Sequence, residues 1–200
     1  MTLQGLLALL TQRPEYRRLL EQLRNAEGVP ALTGITEAAR PFVIAALAST
    51  LKQTLLVVVS DEEQAQQMAE ALKAFHATPA DIFFLPDRDA LPYERLIADP
   101  QTTQQRMQTM IMLVGGKRTP IIVCSARVLT QPVIPPKELA TSLFSLEPGQ
   151  EIDLTMMLEQ LYNLGYEPAT EVEEPGQFSH RGGIIDLFPP SFPRPVRIEF

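Results

Sequence analysis

Thr54-Leu55-Leu56-Val57-Val58-Val59-Ser60 is an unbroken apolar run, rich in β-branched residues and bounded by polar ones. A strand covered by helices on both faces needs this composition, because neither of its faces meets water. The flanking sequence fits the same scheme. Apolar spacing predicts a helix over 41–50 before the run and another over 62–76 after it. Strands follow at 81–85 and 120–125, the second again apolar throughout, with a helix over 102–115 between them. This alternation predicts a parallel α/β sheet. Farther upstream, Leu6, Leu9 and Leu10, then Leu19, Leu20 and Leu23, recur at helical spacing and predict amphipathic helices over 3–11 and 15–25, separated by Pro14. Residues 31–33 read as a short strand.

Between that strand and the helix at 41–50 stands Gly34-Ile35-Thr36-Glu37-Ala38-Ala39-Arg40-Pro41-Phe42-Val43-Ile44-Ala45. A working phosphate loop reads G-x-x-x-x-G-K-[ST], so that backbone N–H groups close around phosphate oxygens. Here Gly34 keeps the first glycine, but Ala39, Arg40 and Pro41 occupy the Gly, Lys and Ser/Thr positions. Glu37 places a carboxylate where a triphosphate would be repelled. Pro41 has neither a hydroxyl for Mg²⁺ nor an N–H for an anion. Two readings fit these residues: a nucleotide loop whose chemistry has been removed, or a strand–turn–helix with no phosphate ancestry.

Near Gln131 the pattern changes. Pro132, Pro135 and Pro136 break regular structure and predict a linker into a second unit. That unit reads as a strand at 143–146, a turn at Pro148-Gly149, a helix over 154–164 ended by Gly165, and strands near 168–173, 178–188 and 196–200. One helix on an antiparallel sheet is the expected form, giving two domains, 1–131 and 132–200. The chain stops inside the last expected strand, on Phe200, which reads as a cut from a longer protein.

Composition favours a binding module. Seventeen basic and twenty-four acidic residues give a net charge of −7, so the phosphate backbone of nucleic acid repels the chain as a whole. The single cysteine, Cys124, lies in an apolar strand and excludes a disulfide framework. His76 and His180 stand in no metal-ligand spacing, and no catalytic constellation is identifiable. Ser60-Asp61-Glu62-Glu63 reads as a helix N-cap with acidic residues in the first turn rather than as a magnesium site. Gly115-Gly116-Lys117-Arg118-Thr119 precedes a strand, the wrong order for a phosphate loop, and reads as a helix-ending turn. The acidic stretch Glu171, Glu173 and Glu174 reads as a solvated loop. The N-terminus lacks the basic segment and apolar core of a secretion signal, and no apolar stretch reaches membrane-spanning length. A cytoplasmic location without membrane contact is expected.

Phe178-Ser179-His180-Arg181-Gly182-Gly183-Ile184-Ile185-Asp186-Leu187-Phe188-Pro189-Pro190, followed by Pro195-Val196-Arg197-Ile198-Glu199-Phe200, is the most specific segment. It resembles a signature of the UvrB and transcription-repair coupling factor (Mfd) families, an R-G-x-[IVL]-[IVL]-D-[IL]-F-P strand followed by R-[IVL]-[ED]-[FL]. Residues 34–45 lie without a gap over the UvrB-type loop G-V-T-G-x-G-K-T-F-x-I-A. Leu91-Pro92-Tyr93-Glu94 resembles the L-P-Y-[DE] block of the coupling factors, and 120–129 resembles the later strand of the same domain. The lost loop residues, and the single aromatic residue (Tyr93) between Phe84 and Arg106, depart from UvrB, which threads DNA with an aromatic hairpin. Both departures favour the N-terminal module of the coupling factors.

The resemblance implies a RecA-like parallel-sheet domain with a degenerate nucleotide loop (Gly34, Glu37, Ala39, Arg40 and Pro41), then a small α+β domain that binds UvrA. It assigns Arg181, Arg197 and Glu199 to the UvrA contact, where the two guanidinium groups are expected to form one positive patch. The resemblance implies no catalytic residue, metal or cofactor in this segment. ATP and Mg²⁺ are expected to serve a DNA translocase motor elsewhere in the parent, and RNA polymerase and DNA to bind parts absent here. Two alternatives stand beside this reading. One is a UvrB-like, ATP-dependent damage-binding or helicase-type domain, and the other is a regulatory domain that restrains the parent's motor through its other domains.

Overall fold

The computed structural model describes residues 3–25, 28–76, 78–88, 99–116 and 118–200. In chain order its regular elements are α1 (Leu7–Thr11), α2 (Pro14–Asn25), α3 (Arg40–Leu51), β1 (Leu55–Val59), α4 (Glu62–Phe75), β2 (Ile82–Leu85), α5 (Pro100–Gly115), β3 (Ile121–Ser125), α6 (Pro136–Ser142), α7 (Leu154–Asn163), β4 (Glu167–Pro168), β5 (Gln177–Arg181), β6 (Ile184–Leu187) and β7 (Val196–Glu199). The fold is α/β. Residues 1–87 with 116–131 make one compact unit, and residues 88–115 with 132–200 make the other.

In the first unit a three-stranded parallel sheet runs in the order β1-β3-β2. The central strand β3 is buried along its whole length, as its continuous apolar sequence requires. Small residues on α3 and α4 (Ala45, Ala46, Ala48, Ala65 and Ala69) let the helices approach closely around Leu72, Ile121 and Val123. Asp61 caps α4, accepting a hydrogen bond from the Gln64 N–H at 2.9 Å, and Glu62 and Glu63 occupy the positive end of the helix. Ser60–Glu63 is therefore a cap, as expected.

Three expectations in this unit are corrected. β1 is an edge strand with Leu56 and Val58 exposed, not a strand covered on both faces. Its apolar run alone does not distinguish an edge from a centre. Residues 31–33 form no strand, so no strand leads into the loop at Gly34. The expected helix over 3–11 opens as a 3-10 turn, Gln4–Leu6, before α1.

In the second unit a four-stranded sheet runs in the order β4-β5-β6-β7. Its apolar side packs on α7, burying Met157, Leu161, Phe178, Ile185 and Leu187. Asp153 caps α7 through the Met156 N–H at 3.0 Å. Gly165, at φ 84°, ends it: the Tyr166 N–H bonds the Leu161 carbonyl, and the Gly165 N–H bonds that of Tyr162. Gln108 on α5 donates to the Ser191 carbonyl at 2.9 Å, and Gln104, one turn earlier, donates to that of Phe192.

The expected antiparallel sheet is corrected to a mixed one, because β4 runs parallel to β5. The strand expected at 168–173 shortens to Glu167–Pro168, since the Glu173 and Glu174 N–H groups turn instead to the Gln177 side chain, each at 3.0 Å. The single strand expected over 178–188 is a hairpin that reverses at Gly182-Gly183. Residues 143–146 form no strand. The block Leu91–Glu94, with Tyr93, lies outside the described residues, as does Lys117.

Candidate protein-interaction face

Two glycines set the geometry of this face. Gly182 takes a φ of 61°, the conformation that the first central position of a tight hairpin turn demands. A side chain on Gly183 would come within 3.3 Å of the Phe200 carbonyl oxygen, so glycine also permits the close approach of the chain beyond β7. The two-residue turn makes Arg181 and Ile184 direct partners and so places Ser179 opposite Asp186. On the other side of β6, Arg197 lies opposite Asp186, and Glu199 opposite Ile184.

Cross-strand partners and residues two apart along a strand share a face. Ser179, Arg181, Ile184, Asp186, Arg197 and Glu199 therefore lie on one side of the sheet, and Phe178, Ile185, Leu187, Val196 and Ile198 on the side that meets α7. The three residues predicted for partner binding, Arg181, Arg197 and Glu199, are brought together on the polar side.

The two arginines are held differently. Arg197 donates side-on to Asp186, Nε to Oδ1 at 2.7 Å and Nη2 to Oδ2 at 3.0 Å. This fork is the strong form of an Arg–carboxylate pair. It remains 60% exposed on the arginine side chain and 33% on the aspartate. Arg181 donates from Nη2 to the Thr170 carbonyl at 2.7 Å, and the Ser179 hydroxyl shares that oxygen at 3.4 Å. Thr170, Glu171, Ser179, Asp186, Pro195 and Arg197 line a groove on this face, beside Arg181.

Charge on this face alternates. The hydrogen bond from Arg197, and then the charges of Arg197 and Arg181, hold the Asp186 carboxyl below the usual carboxylate range. The same hydrogen bond and charge, with Glu199 beyond, push the Arg197 guanidinium further toward its charged form. The single positive patch expected from the two arginines is therefore corrected, because Asp186 lies on β6 between them and pairs with one. The sequence motif contains Asp186 but does not place it relative to the arginines. Its place on this face follows from the Gly182-Gly183 turn, which sets the register. The Thr170 carbonyl left no sequence signal, because any residue carries one.

The nucleotide-loop residues lie in the first unit. Gly34 takes a φ of 75°, Glu37 and Ala39 lie in a 3-10 turn, and Arg40 opens α3 with Pro41 buried beside it. Arg40 Nη1 lies 3.4 Å from Glu37 Oε1, so the cation at the lysine position turns to a carboxylate of its own loop. Among the described residues no group of three or more His, Cys, Asp or Glu side chains could hold a metal ion. Among them, too, no helix is long and apolar enough to cross a membrane.

Residues 144–200, which contain α7 and the whole four-stranded sheet, match the model of the UvrB interaction domain family. The chain is 30% identical over 190 residues to a transcription-repair-coupling factor from Myxococcus xanthus, covering 92% of this chain and 16% of that protein. The chain is related to the transcription-repair-coupling factors. The Bacillus subtilis coupling factor is 26% identical over 191 residues, covering 95% of this chain and 16% of its own length. One from Staphylococcus aureus is 30% identical over 168 residues, covering 84% and 14%. The chain thus spans about one-sixth of the length of these curated relatives. Arg181, Arg197 and Glu199 fall inside the matched interaction domain, whereas the loop from Gly34 to Pro41 precedes it.

Proposed function

We propose that this chain is a non-catalytic docking module through which a transcription-repair coupling factor recruits UvrA in nucleotide excision repair, and that Arg181, Arg197 and Glu199 make the contact. The observation that carries this reading is the gathering of these three side chains on the one polar face of a sheet that lies inside a UvrB interaction domain match. Arginine suits such a role because its planar fork makes several directed hydrogen bonds while its stem packs on apolar neighbours. The two compact units then divide the work, residues 1–87 with 116–131 serving as a RecA-like scaffold whose nucleotide loop has lost its chemistry. The alternating charge of the binding face favours a partner surface that offers carboxylates or carbonyls to the arginines and a donor to Glu199.

The parent's ATP-driven translocation on DNA, and its contacts with RNA polymerase, belong in this reading to other parts of the protein. Co-purification of the 200-residue chain with UvrA, with and without ATP, tests the proposal. A stoichiometric complex is expected in both conditions, since the face uses no nucleotide. Absence of a complex at low ionic strength, from a chain shown to be folded, would overturn it.

A further inference from the structure

Asp186 is the one acidic side chain on β6, and it faces the two arginines of the binding face from the strand between theirs. A surface ion pair contributes little to stability when both partners are exposed. Here the pair is bidentate, because both carboxylate oxygens are used and the arginine is gripped along its Nε edge. An arginine has five N–H donors in a fixed plane. When Nε and one Nη2 hydrogen are directed at Asp186, the planar group is fixed and Nη1 points away from the carboxylate. Lysine would provide no such second edge.

We infer that Asp186 is a positioning residue of the partner-binding face, orienting the Arg197 guanidinium across β6 and β7 so that its outer edge is presented to a carboxylate or carbonyl of the partner protein. This rests on the UvrA-docking reading above and adds to it a residue and a role. It also changes what the partner must look like. Were the partner surface simply acidic, Asp186 would oppose binding and its removal would tighten the complex. A positioning role has the opposite sign, because an unheld arginine must be ordered when the complex forms, at a cost in side-chain entropy.

The test is UvrA affinity for the 200-residue chain carrying Asp186→Asn, Arg197→Ala, both of these, or Arg181→Ala, with thermal unfolding recorded for each. Asp186→Asn is expected to weaken binding about five- to tenfold, and to add little once Arg197 is alanine, because residues in one hydrogen-bonded pair are energetically coupled. A slowly exchanging Arg197 Nε–H signal is expected in the NMR spectrum of the parent chain, and it should be lost in Asp186→Asn while the melting temperature holds. Unchanged or tighter binding by Asp186→Asn, together with weakened binding by Arg197→Ala, would overturn the inference and leave the docking face standing. Unchanged binding by every variant, Arg181→Ala included, would instead remove the docking face itself. Should Asp186→Asn lower the melting temperature, the exchanged pair Asp186→Arg with Arg197→Asp separates the roles: a positioning role predicts recovered stability without recovered affinity, and recovery of both contradicts it.

Discussion

Arg197 and Asp186 stand directly opposite one another on β7 and β6, and the guanidinium closes on the carboxylate through hydrogen bonds of 2.7 Å and 3.0 Å. The hydrogen bond and the positive charge lower the Asp186 pKa. A group whose pKa falls on folding contributes stability above its unfolded value, and that contribution is lost as pH falls through the folded value. Acid titration followed by NMR should therefore give Asp186 a midpoint below the ordinary carboxylate value of about 3.9. In Arg197→Ala the midpoint should rise toward that value, and an unmoved midpoint would show that the pair is not formed in solution.

The two sheets make contrasting predictions for stability. Ile185 is fully buried between the second sheet and α7, so Ile185→Ala should cost about 2–5 kcal/mol. Leu56 is 53% exposed on the edge strand β1, so Leu56→Ala should cost about 0.5 kcal/mol or less. Chemical denaturation of the two variants measures both. A large loss at Leu56 would restore the doubly covered strand that its sequence first suggested.

Much of this fold was legible in the chain because particular residues leave little choice. The apolar run at 121–125 read as a buried strand, Asp61 marked a helix start, and Gly165 marked a helix end. Leu55–Val59 misled because burial of a strand depends on its neighbours in the sheet, and strand order is set by non-local packing. The Gly182-Gly183 turn was readable in principle, yet the apolar stretch after it made 178–188 look like one strand. The site divided in the same way. The resemblance singled out Arg197 and Glu199, but the position of Asp186 between the arginines required the hairpin register.

At the loop before α3, Glu37 lies 3.4 Å from Arg40, and Pro41 is buried in the first helical turn. A phosphate would meet a carboxylate, a missing N–H and a cation already engaged. Calorimetry with Mg-ATP should therefore show no saturable binding to this chain. Saturable binding that disappears in Arg40→Ala would favour the hydrolase alternative.

Cys124 is fully buried in the central strand β3. Burial, and then the negative charge of Asp87, push its thiol pKa up, which keeps it in the unreactive protonated form. An aromatic disulfide reagent at neutral pH should modify it no faster than the chain unfolds, with the rate rising as denaturant is added. Rapid modification of the native chain would mean that β3 is accessible.

In the proposed docking role, Arg181 and Arg197 meet UvrA. Each is exposed, and neither contributes to the apolar core, so replacing either should change stability by about 0.5–1 kcal/mol at most. As interface hot spots, each should cost on the order of 2–4 kcal/mol of binding energy when cut back to alanine. The most direct measurement is UvrA affinity beside melting temperature for Arg181→Ala and Arg197→Ala. A loss of affinity of more than about thirtyfold in both, with melting temperatures close to that of the parent chain, is the predicted result. Unchanged affinity in both variants would contradict it.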